Sequence, residues 1–216
     1  MDAFHMLVAL GPLAAYLLGL AAINLRGRPL ATSGLRDLVV LAAAVGGFVV
    51  VGPMELFLPD AAVAVFGVWT WAIMFGFYAA CALFLALSLR PRIVVYNIAP
   101  ERLHAILAPV ALALDGEARW AGASLLLPEL GVHLQLEPFR SMRCVSLVSV
   151  GPRQSIDGWS ALHDQLVAAL AQERCGPNPR AYSLLSFALV MIAMMTWKVW
   201  DDPVALVDQF RDFLRM

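Results

Sequence analysis

Charge is what this sequence has least of. Only 14% of its 216 residues are Asp, Glu, Lys or Arg, while 61% are hydrophobic; a soluble domain is about half apolar and about a quarter charged. Lysine is nearly missing, with Lys198 standing alone. The net charge of -1 excludes a general polyanion-binding role, so no nucleic acid partner is expected. Cys81, Cys144 and Cys175 form no CxxC and no Cys/His pairing at metal-ligand spacing, which argues against a disulfide framework or a zinc site. His5, His104, His133 and His163 share neither HxxxH nor HExxH spacing. GxSxG, GxGxxG and GxxxxGK[ST] are also missing. No catalytic residue, metal or cofactor is therefore expected from motif.

What is present is long apolar runs. With a mean hydropathy of +0.77, the chain has too little polar surface to cover a globule in water, so the lipid bilayer is its expected solvent and first partner. A helix needs roughly 20 apolar residues to cross a bilayer. Four segments qualify, at about Met6–Leu25, Leu38–Leu58, Ala62–Leu89 and Tyr182–Trp200. The first resembles a signal peptide only in its apolar core, because the residues before it, Met-Asp-Ala-Phe-His, carry no basic charge. It is read as a retained helix. The preponderance of Arg over Lys, with the Ala, Leu, Val and Gly bias, points to a GC-rich bacterial genome.

Orientation follows from basic residues in short loops. Arg26, Arg28 and Arg36 lie between the first two runs, Arg90 and Arg92 follow the third, and Arg180 precedes the fourth. Glu55 and Asp60 are the charged residues between the second and third. These place the basic loops in the cytoplasm and both termini outside, with Trp197 and Trp200 in an outer aromatic belt and Tyr182 in an inner one. The expectation is a multi-pass protein of a bacterial inner membrane.

Residues 90–181 read differently. Arg92–Asn97 is β-branched and aromatic, hence a strand. Pro100 opens a helix whose face is Leu103, Ile106, Leu107, Val110 and Leu114, with Pro109 expected to kink or split it. Strands are predicted at 118–120, 124–127 and 144–150. The segment 132–137 alternates, which gives it one buried and one wet face. Asp157 is the expected cap of a second helix, with Trp159, Leu162, Leu166, Ala169 and Leu170 on one side. Strand, helix, several antiparallel strands and helix make an α+β two-layer sandwich. The fold class is thus an α-helical integral membrane protein with four transmembrane helices and an inserted cytoplasmic α+β domain. Its parts are a three-helix region over 1–89, the domain over 90–181, a fourth span over 182–200, and an outer-face amphipathic helix over 201–216. In that tail Leu206, Val207, Phe210, Phe213 and Leu214 oppose Asp208, Arg211, Asp212 and Arg215.

Few residues stand out as functional candidates. The loop holding Arg153, Ser155 and Gly158 joins a strand to a helix start, where free amides attract anions. Arg90, Arg92, Arg140 and Arg143 are candidates for contact with lipid headgroups. Glu55 is an ionisable residue near the end of the second span, with Gly46, Gly47 and Gly52 beside it for close helix packing. With no assembled catalytic constellation, the leading expectation is a binding, scaffold or accessory module that works with a membrane protein partner or a second copy of itself. A small oligomeric transporter or channel-like protein is the second reading. A membrane-bound enzyme acting on a lipid or anionic metabolite is the third.

Overall fold

A computed structural model describes residues 3–54, 65–67, 69–139, 142–152, 154–201, 203–204 and 206–209. The chain divides into two compact units, one of Met1–Gly19, Val39–Ser88 and Leu184–Met216, the other of Leu20–Leu38 and Leu89–Ser183.

The first unit is helical. Four helices are long and apolar enough to cross a membrane: α1 (Ala3–Leu25), α2 (Gly34–Val49, whose apolar run extends to Gly52), α3 (Trp69–Ser88) and α6 (Arg180–Asp201). They bury little against one another, and Trp69, Phe77, Phe84 and Leu87 of α3 are all more than 70% exposed. Where the helices do meet, small and adaptable side chains make the contact. Ala14 and Met6 of α1, with Leu10, Leu13 and Leu17, pack on Met191, Ile192 and Met195 of α6. Gly47 of α2 brings its backbone against the Val8 carbonyl of α1, where any Cβ would collide. Gly46 faces Tyr78 of α3, whose hydroxyl donates to the Ala42 carbonyl at 2.7 Å, and a Cβ there would make only an ordinary contact with the ring. Among the described residues, a Cβ at Gly52 would meet nothing within 4 Å. A π-helical stretch, Val50–Met54, ends α2.

Of the tail, residues 203–204 and 206–209 are helical. Leu206 and Val207 border a groove with Phe4, Leu7 and Gly47, and the Phe4 amide donates to Gln209 Oε1. Phe210, Arg211, Asp212, Phe213, Leu214 and Arg215 lie outside the described residues.

The second unit is a six-stranded antiparallel sheet with two helices on one face. Its strands are β1 (Leu30–Ser33), β2 (Arg92–Tyr96), β3 (Arg119–Ala121), β4 (Ser124–Leu127), β5 (Val132–Phe139) and β6 (Cys144–Ser149), in the order β1-β2-β6-β5-β4-β3. The helices are α4 (Pro100–Leu114) and α5 (Ile156–Ala171). Alternation does the sorting. Val132, Leu134 and Leu136 of β5 point inward with Val145 and Leu147 of β6, Ile93 and Val95 of β2, and Leu125 and Leu127 of β4. They meet Leu103, Ile106, Leu107 and Ala111 of α4 and Trp159, Leu162, Leu166 and Leu170 of α5. Burying a large apolar side chain contributes about 1.5–3 kcal/mol, and many here are fully buried.

Three local expectations need correction. Leu30–Ser33, within the connection between the first two apolar runs where no strand is expected, is the edge strand, antiparallel to β2 with Leu30 opposite Tyr96 and Ser33 opposite Ile93. Pro109 does not split its helix: α4 runs through it unbroken. The lost amide bond falls on the exposed side, while Ile106, Leu107 and Ala111 hold the other side in the core. The cap of α5 is Ser155, whose Oγ accepts from the Gly158 amide at 3.1 Å, and Asp157 sits in the first turn.

Candidate functional site

Ser155 and Gly158 meet in a capping bond. The amide that an anion would seek at this helix start already donates to Ser155. Gly158 is also pressed against the Leu130 carbonyl, so closely that a Cβ would collide. Arg153, the third member of that group, lies outside the described residues, as do Arg140 and Glu55.

The remaining arginines divide into those held by the fold and those left free. Arg92 pairs with Asp37 in the first turn of α2 at 3.4 Å, and the Tyr96 hydroxyl donates to the same carboxylate. Gly34 makes this possible, because a side chain there would occupy the space of the Arg92 methylenes. Arg143, at φ 47, donates to the Gly176 carbonyl at 3.2 Å. Arg102 pairs with Glu173 at 2.8 Å, and that hydrogen bond and charge raise its pKa. Arg90 is exposed.

Polar groups inside the second unit serve as ties. Asp115, almost fully buried at the end of α4, accepts from the amides of Glu117, Glu129 and Leu130 at 2.9, 2.8 and 3.5 Å. Gln154 donates to the carbonyls of His133 and Val150, while its oxygen accepts from the His133 amide and from Trp159 Nε1. Asn178 donates to Asn24 Oδ1 and to the Met142 carbonyl, both at 3.1 Å, and the Asn178 amide donates to the Asn24 carbonyl. Asn24 in turn donates to the Leu20 carbonyl, so the end of α1 and the approach to α6 are clasped by two buried amides. None of these residues carries a periodic signal. Asp115-Gly116 marks a turn in sequence, but nothing local announces its hold on Glu129.

The described histidines of the second unit lie apart from one another. His104 lies against Trp120 with ring centroids 4.2 Å apart and the ring planes tilted by 44°, His133 lies half-buried on β5, and His163 Nδ1 is 3.2 Å from Asp164 Oδ1. Burial, with help from Asp37, pushes the Cys144 thiol up to about 11; burial also raises Cys175. Such thiols are poor nucleophiles at neutral pH. Among the described residues no three His, Cys, Asp or Glu side chains could hold a metal ion.

Cavities complete the inventory. Two apolar grooves of about 880 and 610 Å³ lie along α1 in the first unit, one beside Ile192, Met195 and Trp200, the other beside Pro12 and Gly47. In the second unit, a groove of about 520 Å³ runs between α4 and α5 from Arg102 to Gln172. A recessed cavity of about 190 Å³ lies between the turn after α1 and the end of α5. Compared with protein-family models, with curated proteins and with solved structures, the chain matches none.

Proposed function

We propose that the chain is a multi-pass protein of a bacterial inner membrane. Its α+β unit faces the cytoplasm and serves as a binding, scaffold or accessory module, and both termini lie on the opposite side. The observation that carries this reading is the pairing of β1 with β2. A strand drawn from the loop between α1 and α2 completes the sheet built by residues 89–183, so both segments must lie on one side of any bilayer that the apolar helices cross. That side also holds Arg26, Arg28, Arg36, Arg90 and Arg92, which makes it cytoplasmic by the bias of basic loops. Exposed aromatic and aliphatic side chains on α3 and α6 support lipid as the surrounding medium, since in water they would be an aggregation surface. The module reading is supported by polar groups spent on holding the unit together, as Asp115, Gln154 and Asn178 are, rather than gathered in a cleft.

Two experiments test this. In a background without native cysteines, Pro59→Cys should react with an impermeant thiol reagent in intact cells, and Thr32→Cys should react only after lysis. Reaction of Thr32→Cys alone in intact cells reverses the orientation. Purification in mild detergent should recover a stoichiometric protein partner or a homo-oligomer. A chain that emerges as a partnerless monomer overturns the module reading.

A further inference from the structure

We propose that the recessed cavity beside Arg26 and Arg28 binds the phosphate headgroup of one anionic phospholipid. This rests on the membrane reading above. Ile23, Arg26, Arg28, Leu30, Val167 and Ala171 are among its lining residues, and among the described residues no acid lines it. Its volume of about 190 Å³ far exceeds the roughly 10–15 Å³ that a single water requires. A phosphate with part of its glycerol therefore has room.

Charge and apolarity meet in this cavity as they do in a phospholipid. Arg92, Arg102 and Arg143 each have a partner within the fold. Arg26 and Arg28 make no side-chain hydrogen bond or ion pair with any described residue. Two exposed arginines that border one small cavity suit a phosphate, whose oxygens accept paired N–H bonds from guanidinium groups. The rest of the wall is aliphatic, and Leu30 and Val167 are left 37% and 39% exposed there. A free phosphate has no use for that half of the wall; the glycerol and first methylenes of a lipid do.

The cavity is held in shape. Gly27 turns the chain in the left-handed region at φ 69, and its carbonyl accepts from the Cys175 amide at 2.9 Å. The Asn24–Asn178 clasp fixes the helix end just before it. The depth is also right. Arg26 follows directly on the apolar helix that ends at Leu25, which is where the headgroups of a bilayer begin.

The test uses the full chain in nanodiscs of equal phosphatidylcholine and phosphatidylglycerol, with lipid retained after release counted by native mass spectrometry. The wild type should keep one phosphatidylglycerol in clear preference to phosphatidylcholine. Arg26→Gln with Arg28→Gln should lower that retention about tenfold or more. Ala171→Trp leaves both charges in place and fills the cavity from an exposed position at the end of α5; it should lower retention equally. Undiminished retention by Ala171→Trp would mean that diffuse attraction to basic loops is the whole effect, and the cavity assignment fails. Displacement of the lipid by millimolar inorganic phosphate would assign the site to a free phosphate and overturn the lipid. Failure of the membrane reading shows separately, as wild-type chain released from membranes by alkaline carbonate.

Discussion

The two units use the same aliphatic and aromatic residues to opposite ends. In the α+β unit Leu134, Leu147, Leu162 and Leu166 are fully buried, and Trp159 is 6% exposed with its indole N–H bonded to Gln154. In the helical unit Trp69 is 74% exposed and Leu87 77%. An apolar side chain stabilises the first by leaving water for a protein core. In the second, on the membrane reading proposed above, it would stabilise by leaving water for lipid, and helix contacts then depend on close approach, as at Gly47. The same substitution therefore means different things in the two units.

The largest contrast is between tryptophans. Trp159→Ala should cost about 3–5 kcal/mol, enough to unfold a domain of marginal stability. Trp69→Ala should change stability by less than about 1 kcal/mol. Denaturant titration of the full chain in detergent, followed by protease resistance of each unit, reads both. Equal losses would erase the distinction between core and exposed apolar surface.

Polar ties give the next effect. Asp115→Ala leaves the amides of Glu117 and Glu129 without their acceptor, and should cost about 1–3 kcal/mol. A melt shifted by less than a surface mutation would show that water replaces the carboxylate. Glycines supply the counterpart in the helical unit. Gly47→Val drives a side chain into the Val8 carbonyl and should cost about 1–3 kcal/mol, whereas Gly76→Val enters open space. Similar melting temperatures for the two would remove Gly47 from the α1–α2 contact. A smaller loss of about 1 kcal/mol is expected for Ser155→Ala, which removes the cap of α5.

The remaining effect is one of pH. The Cys144 thiol rises from the ordinary 9.0 to about 11 on burial, so the folded chain holds its proton longer than the unfolded one. Its contribution is present below pH 9 and is lost as the pH rises toward 11. Stability measured across that window should fall less steeply in Cys144→Ala than in the wild type. Identical slopes would place the thiol in contact with water.

Legibility in the sequence tracked the range of the interaction. The helices of both units and the strands from Arg92 to Ser149 follow from signals within a few residues: apolar length, period 3.6 or period 2. The inward set Val132, Leu134 and Leu136 is readable from alternation alone. Ser155 as cap was within reach, since it stands three residues before Gly158, but Asp157 offered an equally local rival. The candidate sites were the least legible. Of the arginines singled out for headgroup contact, Arg92 and Arg143 are engaged by Asp37 and by the Gly176 carbonyl, partners far away in the chain.

By itself, then, the sequence determined that this chain has four helices able to cross a membrane and one alternating, antiparallel sandwich, because composition and period act locally. Tertiary structure alone decided that Leu-Ala-Thr-Ser at 30–33 is a strand. Four residues without alternation or turn signals become one only because the edge of β2, more than 50 residues away, offers its unpaired amides and carbonyls. It also decided which polar side chains are buried as ties, Asp115 and the Asn24–Asn178 pair among them, and that Arg26 and Arg28 border a cavity lined by no acid among the described residues. Those outcomes depend on which segments meet, and a backbone or guanidinium group carries no local mark of its distant partner.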